Sequence, residues 1–305
     1  MAYSKLMEKI QEEEFVITGE LEPKRTGNLE SLFEEARKIE QYVDAANITD
    51  NPGSFIRTDG LATSILVNER TNIEPVFQLT CRDRNRIGLA SALLGASAAG
   101  IKNILVLTGD HTVLGDVPES KPVFDFDSAQ LLKLAREIVD KKTVFGHKVK
   151  GRKKYPPQYH IGIGANPNST HPDIELAKIK RKVEMGAEFI QTQVIYDLES
   201  TEYFLKKLRD FNIPVLVGLF PMKNYSTAYW FNKLVPGVDV PKDIIQDFKN
   251  VKENSTNKTE KKKRYDEINI NLFGPIIEEL KRRNYANGLH MTAVGYSRIY
   301  PKLIQ

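Results

Sequence analysis

The chain has 305 residues, of which 41% are hydrophobic and 28% are charged, and its formal net charge is +4 at pH 7. It can bury a full core, and it has no basic stripe interleaved with aromatic residues, which argues against nucleic acid as a partner. No run approaches the ~18 apolar residues of a membrane span, and the first residues lack a signal core, so we expect a cytoplasmic protein without a membrane partner. Cys81 is the single cysteine. An intramolecular disulfide and a thiolate metal cluster are therefore excluded, and we expect no bound metal.

Short apolar runs recur along the chain, each closing on polar or small residues. They predict eight strands, at residues 14–20, 43–49, 74–80, 103–110, 158–165, 187–194, 213–220 and 288–294. Most are followed by a helical pattern, and eight such units predict a (β/α)8 TIM barrel, which typically uses ~250 residues as one domain. We therefore expect a single domain over residues 1–305. In such barrels the site lies at the carboxyl ends of the strands.

The first half of the chain adds features around this barrel. Residues 1–13 predict a short helix across the bottom of the barrel, and Asn28 is a candidate cap for the helix after the first strand. The loop at 111–126 is too long for a plain connector and suggests a lid or binding loop. The basic segment 141–155 predicts an exposed hairpin.

The second half carries more polar signals. A helix is predicted from Thr170, and Glu175, Lys178 and Lys182 lie on one of its faces, which from the residues alone indicates a solvated, salt-bridged surface. Gln191 and Gln193 point to the same side of the sixth strand, where a ligand would satisfy both amides. The Lys-rich run 250–264 predicts either a solvated loop or the exposed start of the last helix, at 265–283.

Known catalytic signatures are missing from the sequence. It has no nucleophile elbow, no P-loop and no HExxH spacing, and its five histidines are scattered. Carboxylates end the first and fourth strands, at Glu20 and Asp110, with amides between them around the mouth. Because such side chains cannot do redox chemistry themselves, the pattern favours acid–base work beside a bound cofactor.

Six motifs in barrel-compatible order resemble those of the methylenetetrahydrofolate reductase family, whose members are flavin-dependent barrel enzymes. The resemblance runs from residue 14 to about residue 294 and is carried by GELEPKR at 19–25, QLTCRD at 78–83, LTGD at 107–110, KIKRKVEMGA at 178–187, IQTQVIYD at 190–197 and GLFPMKNY at 218–225. It implies an oxidoreductase of one-carbon metabolism and methionine biosynthesis. Hydride would pass from NAD(P)H through the flavin to 5,10-methylenetetrahydrofolate, giving 5-methyltetrahydrofolate.

The resemblance also implies residue roles. Glu20 matches the general acid that protonates N10 of the folate, and Asp110 matches the aspartate between flavin and pterin. Gln193 and Tyr225 match residues that contact folate or nicotinamide. The matching cofactor positions are Thr49, Gln78, Thr108, Gly109, Asp110, Asn166, His171, Glu175, Lys178, Arg181 and Lys182. FAD is the expected flavin. FMN stays open because Gln78 and Thr108 stand where many relatives have histidine and arginine.

Several alternatives stay open at the level of sequence. Glu22, two residues from Glu20, is a second candidate acid. The electrons could come from a partner redox protein instead of NAD(P)H, and we expect either a homo-oligomer or a subunit of a reductase complex. A non-redox pterin-binding methyltransferase barrel and a non-catalytic subunit are rivals of other classes.

Overall fold

A closed barrel of parallel strands forms the centre of the molecule, seen in a computed structural model that describes residues 2–234, 238 and 240–304. The barrel strands are β1 (Val16–Leu21), β2 (Ala45–Ile48), β3 (Pro75–Thr80), β4 (Asn103–Leu107), β7 (His160–Ala165), β8 (Phe189–Val194), β9 (Val215–Leu219) and β10 (Gly288–Met291). They neighbour one another in this order, and β10 pairs with β1 to close the ring. The predicted (β/α)8 barrel is confirmed.

Helices surround the barrel and follow its strands. They are α1 (Lys5–Gln11), α2 (Glu30–Ile39), α3 (Gly60–Arg70), α4 (Arg86–Ala98), α5 (Ser128–Arg136), α6 (Pro172–Glu184), α7 (Leu198–Arg209), α8 (Tyr225–Leu234), α9 (Lys242–Asn254), α10 (Lys258–Arg282) and α11 (Tyr300–Leu303). Most of these helices bury apolar residues on one face, as an amphipathic pattern requires. In α2 that stripe contains Leu32, Phe33, Ala36 and Ile39, as the spacing predicts.

The bottom of the barrel is closed by α1. Its Leu6, Met7 and Ile10 pack with inward-facing residues of the strands, including Val16 and Phe189, in a separate apolar cluster. The Ser4 side chain stabilises the start of α1, because its hydroxyl accepts a hydrogen bond from Met7 N. The predicted bottom helix is therefore confirmed, and the opposite, carboxyl end of the barrel is left for ligands.

Besides strand ends that shift by up to three residues, three local details differ from the sequence predictions or decide between them. The N-cap residue of α2 is Leu29. The predicted cap, Asn28, lies one residue earlier, and its Oδ1 accepts a hydrogen bond from Glu30 N. His171 takes the cap position predicted for Thr170, without a side-chain cap bond. The Lys-rich run is mostly helical, since α9 ends at Asn254 and α10 starts at Lys258, so the solvated-loop alternative was wrong.

The predicted hairpin between α5 and β7 is present, as strands β5 (Thr143–Val144) and β6 (His147–Lys148). The long loop after β4 contains one short 3-10 turn, Thr112–Leu114. Among the described residues, no helix has both the length and the apolarity needed to cross a membrane.

Candidate active site

A cavity of about 1200 Å³ opens at the carboxyl ends of the barrel strands. Six of the predicted site residues line it: Glu20, Gln78, Asp110, Asn166, Glu175 and Gln193. The other predicted residues are not part of its lining: Thr49, Thr108, Gly109, His171, Lys178, Arg181, Lys182 and Tyr225. The structure therefore brings both predicted catalytic carboxylates to one cavity, and leaves much of the predicted cofactor helix at its edge.

Strand alternation places Glu20 inside the mouth. Its neighbour Gly19 faces outward, where an added Cβ would lie 2.9 Å from Tyr300 Oη, so the following residue points into the barrel. The Glu20 side chain is only 13% exposed, and His290 Nε2 lies 3.5 Å from its Oε2. Among the described residues, His290 is the only basic side chain within 4.0 Å of this carboxyl group, which has an open side toward the cavity.

Below Glu20, a polar network crosses the barrel interior. The amides of Asn47 and Gln191 pair reciprocally, at 2.7 and 3.0 Å, and Gln191 Nε2 also donates to Thr18 Oγ1 at 3.2 Å. The amide of Gln191 is thus satisfied by protein, and the expectation that it needs a ligand was wrong. Gln191 can be buried, with 3% of its surface exposed, because this pairing satisfies its amide.

His290 connects this network to Glu20, and sequence reasoning did not single it out. The Thr18 hydroxyl donates to the Leu289 carbonyl at 3.2 Å and accepts from Gln191, so its 3.0 Å contact with His290 Nδ1 is best satisfied by a proton on Nδ1. In that tautomer Nε2 presents a lone pair toward Glu20. The available signal was its place within the apolar run of the last strand.

Gln193 differs from Gln191 because the strand is irregular between them. The pairing of β8 with β9 shifts register between Gln191 and Val194. Gln193 Oε1 accepts from Val194 N at 3.0 Å, and the residue lines the cavity. Its amide N–H groups have no hydrogen-bond acceptor among the described residues, so they are available to a ligand.

Two rim loops meet beside Asp110. The side chain of Asp110 is exposed, and its Oδ2 accepts from Gly53 N at 3.1 Å. Asp116 accepts from Ile56 N at 3.1 Å and pairs with Arg25. These contacts join the loop after β2 to the long loop after β4, so the latter forms part of the cavity wall as a binding loop would.

Glu22 is engaged elsewhere. Its Oε1 lies 2.9 Å from Arg57 Nη2 and also accepts from Arg57 Nε. A carboxylate held by a guanidinium in two contacts is fixed in place and is not free to turn toward a substrate. This geometry favours Glu20 over Glu22 as the acid.

Two polar groups outside the cavity lining, Lys182 on α6 and Thr49 just after β2, lack partners that a flavin nucleotide would supply. Burial lowers the pKa of Lys182, against the opposing effect of Glu175 and Asp127, and no carboxylate oxygen of the described residues lies within 4.0 Å of its Nζ. Thr49 Oγ1, just after β2, is buried and has no hydrogen-bond partner among the described residues. A phosphate for Lys182 and a polar ring atom for Thr49 would satisfy both. Cys81 nearby is inert, because burial raises the pKa of its thiol to about 12.

An aromatic wall lines the cavity at the end of β9 and in α8. Phe220 and Phe231 stack with ring centroids 3.6 Å apart and planes 6° from parallel, and both line the cavity. Tyr225 instead lies under Lys252, whose Nζ is 5.0 Å from its ring centroid. The sequence pointed to Tyr225 and to Phe220 at the end of the predicted strand 213–220, but it missed Phe231, because the stacking of Phe220 on Phe231 joins a strand end to the middle of α8.

Comparison with known proteins places the whole barrel in one group. The sequence profile described as "Methylenetetrahydrofolate reductase" matches residues 5–305. This chain belongs to the methylenetetrahydrofolate reductase family. It is 30% identical over 215 residues to "Methylenetetrahydrofolate reductase (NADH) 1" of Arabidopsis thaliana, covering 67% of this chain and 34% of that protein. It is 26% identical over 243 residues to "Methylenetetrahydrofolate reductase 2" of Schizosaccharomyces pombe, covering 73% of this chain and 35% of that protein.

The chain thus spans about a third of the length of these eukaryotic relatives. It covers 67% of a bacterial relative, the "5,10-methylenetetrahydrofolate reductase" of Pectobacterium carotovorum, with 24% identity and 70% of this chain matched. Among solved structures, an uncharacterised Clostridium thermocellum protein that binds two copies of 5-methyl-5,6,7,8-tetrahydrofolic acid has a TM-score of 0.65 at 16% identity, over 98% of this chain and all of the other. That likeness supports the barrel fold alone.

Proposed function

We propose that this protein reduces 5,10-methylenetetrahydrofolate to 5-methyltetrahydrofolate with a bound flavin, using NAD(P)H as the donor. The observation that carries the proposal is Glu20, an enclosed carboxyl group that faces the cavity with His290 behind it. Family membership supports the same chemistry. The names of relatives include both NADH and NADPH, so the nicotinamide is left general.

FAD is the proposed cofactor, with FMN as the alternative. Lys182 would hold a phosphate, Thr49 and Asn166 would contact the ring system, and the exposed His171, Lys178 and Arg181 would hold the outer part of the dinucleotide. A dinucleotide explains so many polar residues along α6 better than a mononucleotide does. When bound, the flavin supplies the hydride chemistry that no side chain here can perform.

Glu20 and Asp110 would divide the work on the substrate. Glu20 donates a proton to N10 of the folate, the five-membered ring opens, and the exocyclic methylene carbon becomes a cationic iminium ready to accept hydride. Asp110 lies across the mouth, and its negative charge favours that cation. Gln193 offers its amide N–H groups to the pterin or nicotinamide, and the Phe220–Phe231 wall excludes water from that side.

The test separates the two half-reactions of Glu20→Gln. We expect flavin reduction by NADH or NADPH to stay within about twofold of wild type, while reoxidation by methylenetetrahydrofolate falls roughly 10²- to 10⁴-fold, the usual contribution of a general acid. Glu22→Gln is the matched control and should retain the folate step. Equal loss of both half-reactions in Glu20→Gln would contradict the assignment.

The electron donor is decided by the same preparation. Rapid bleaching of the flavin by a nicotinamide alone supports NAD(P)H, whereas bleaching only with a reduced redox protein supports the partner-protein alternative. A colourless protein that takes up neither FAD nor FMN would instead favour a methyltransferase barrel or a non-catalytic subunit. A cytoplasmic location, a single domain over residues 1–305 and assembly as a homo-oligomer or complex subunit stay predictions.

A further inference from the structure

Arg82 is a buried arginine at the carboxyl end of the barrel, two residues after β3 and outside the lining of the large cavity. It is 1% exposed. Its carbonyl accepts from Val123 N at 2.8 Å, so its main chain is held as well. A buried guanidinium must find acceptors inside the protein for its five N–H groups, because an unpaired charged donor away from water is costly. The acceptors that it uses therefore show what it is placed to hold.

The guanidinium of Arg82 contacts three neighbouring loops. Its Nε and Nη2 donate to the two carboxylate oxygens of Asp83, at 2.8 and 2.7 Å, in the fork geometry that arginine prefers with a carboxylate. Nη2 also donates to the Asn51 carbonyl at 3.0 Å, in the loop after β2. Nη1 donates to the Asp110 carbonyl at 3.3 Å, in the loop after β4. Arg82 thus joins the ends of three adjacent strands.

Both contacts of Arg82 outside its own loop bear on Asp110. One holds the Asp110 carbonyl directly, and the other holds Asn51, two residues before Gly53. Gly53 N in turn donates to the Asp110 carboxylate, 3.1 Å from Oδ2. One guanidinium therefore anchors the main chain of Asp110 and also the loop that supplies the hydrogen bond to its carboxylate.

The charge of Arg82 is balanced by Asp83 and does not neutralise Asp110. Asp83 takes the guanidinium in two contacts, whereas Asp110 receives a hydrogen bond only at its uncharged carbonyl. In the described part of the chain, no side-chain cation lies within 4.0 Å of the Asp110 carboxylate. Asp110 is thus held in place while its negative charge stays available to a cation in the cavity.

We propose that Arg82 is a positioning residue for Asp110, and that it keeps the Asp110 carboxylate where it stabilises the cationic iminium of the folate. The proposal rests on the proposed function, because it concerns the same step. Lysine could not replace this arginine, since an ammonium group is a single point charge and cannot reach three loops in three directions.

The neighbouring Arg84 is the matched control. It also reaches the loop after β2, where its Nη1 lies 2.7 Å from Asp50 Oδ2, and it pairs with Asp59 at 3.0 Å. It makes no hydrogen bond or ion pair with Asp110 among the described residues. Arg84→Lys therefore weakens the same part of the rim without touching the residue that is to be positioned.

The first experiment measures both half-reactions of Arg82→Lys by stopped-flow absorbance of the flavin. The lysine keeps a charge for Asp83 but loses the contacts with the two other loops. We expect reoxidation by methylenetetrahydrofolate to slow about 10- to 100-fold, because a misplacement of about 1 Å can cost roughly 100-fold. Flavin reduction by the nicotinamide should stay within about twofold of wild type, and Arg84→Lys should leave both rates within about twofold.

A double-mutant cycle separates positioning from a merely structural role. Asp110→Asn removes the charge that is to be positioned and keeps an acceptor for Gly53 N. In that background, Arg82→Lys should slow reoxidation by no more than about twofold further, because a neutral amide stabilises the cation little wherever it lies. A full second loss in the double variant would overturn the proposal, and so would equal slowing of both half-reactions in Arg82→Lys.

Amide hydrogen exchange tests the positioning without turnover. In Arg82→Lys, peptides that cover residues 51–57 and 109–116 should exchange about 10-fold faster, because both loops lose their shared anchor. Arg84→Lys should leave 109–116 at the wild-type rate. If the wild type is not reoxidised by the folate, the proposed function fails and exchange alone decides. Unchanged exchange of 109–116 in Arg82→Lys would then overturn the positioning role.

A second variant covers the case in which Arg82→Lys does not fold. Asp83→Asn leaves Arg82 in the protein and takes away the charge that aligns its guanidinium, and the Asp83 side chain is 34% exposed, so the substitution is tolerated more easily. It should slow reoxidation, spare flavin reduction and speed exchange of 109–116, as Arg82→Lys does. Wild-type reoxidation together with wild-type exchange in Asp83→Asn would overturn the proposal.

Discussion

His290 offers the sharpest test of how the barrel interior supports the acid. Its Nδ1 contacts Thr18 Oγ1 at 3.0 Å, and its Nε2 lies 3.5 Å from Glu20 Oε2. An asparagine at this position places an amide donor near the place of Nδ1 and removes the group at Nε2. The substitution His290→Asn therefore deletes the contact with Glu20 while it preserves the one with Thr18.

The expected loss follows from the geometry. With the proton of His290 on Nδ1, its Nε2 accepts from the protonated Glu20, and a neutral hydrogen bond of this kind contributes about 0.5–1.5 kcal/mol. A loss of about 0.5–1.5 kcal/mol in the step that uses Glu20 corresponds to roughly 2- to 13-fold in rate. Flavin reduction by the nicotinamide does not use Glu20 and should keep its wild-type rate.

Stopped-flow absorbance of the flavin measures both half-reactions in one preparation. His290→Leu is the comparison, because it also abandons Thr18 and should lower the free energy of unfolding by about 1–3 kcal/mol in addition to slowing the folate step. If His290→Asn reoxidises at the wild-type rate, His290 does not position Glu20. If both half-reactions slow together, the network has only a structural role.

Three further predictions concern the rest of the molecule. Burial would raise the pKa of Asp266, but hydrogen bonds from Lys302, Tyr296 and Arg298 outweigh it and hold that pKa below 3.8. The charged Asp266 therefore stabilises the folded protein fully above pH 3.8, and this contribution is lost as the pH falls further. For Asp266→Asn, acid unfolding monitored by circular dichroism should shift to higher pH. Lys182→Gln should weaken flavin binding about 5- to 100-fold by fluorescence titration, with Lys133→Gln unchanged. Gly115→Ala places a Cβ 2.0 Å from the Ser54 carbonyl oxygen and should lower thermal stability by about 1–3 kcal/mol through separation of the rim loops; an unchanged melting temperature would show that the loops adjust freely.

The barrel itself was predictable because strands buried on both faces are apolar runs with abrupt polar ends. The same feature located the two carboxylates, since Glu20 and Asp110 end their runs and the ends of parallel strands share one edge. The spacing of apolar residues predicted the bottom helix, and the glycines within the basic segment 141–155 predicted the hairpin. In each of these cases the information is local, within about one strand or helix of sequence.

The parts that could not be predicted depend on contacts across the barrel. Gln191 and Gln193 are equivalent by strand alternation, yet only Gln191 meets Asn47, a partner 144 residues away on a strand across the interior. Strand tilt and the register shift after Gln191 decide which amide is buried, and neither can be read from one segment. His290 escaped notice because its partners Thr18 and Glu20 lie on β1, at the other end of the sequence.

The distribution of these contacts separates two kinds of control over the site. The proton-handling groups, Glu20 and His290, lie on adjacent barrel strands whose positions are set by backbone pairing on both sides. The groups that line the cavity outside the strands, such as Asp110 and Lys223, lie in connections, and Asp110 is held by a side-chain contact between loops, with Gly53 N. Strands of a closed barrel cannot move singly without breaking two ladders, whereas a connection can change with little cost to the core. Apart from Asp110 and the buried Arg82, substitutions in the connections should therefore alter substrate preference at nearly constant stability, while those in the strand network should alter rate and stability together.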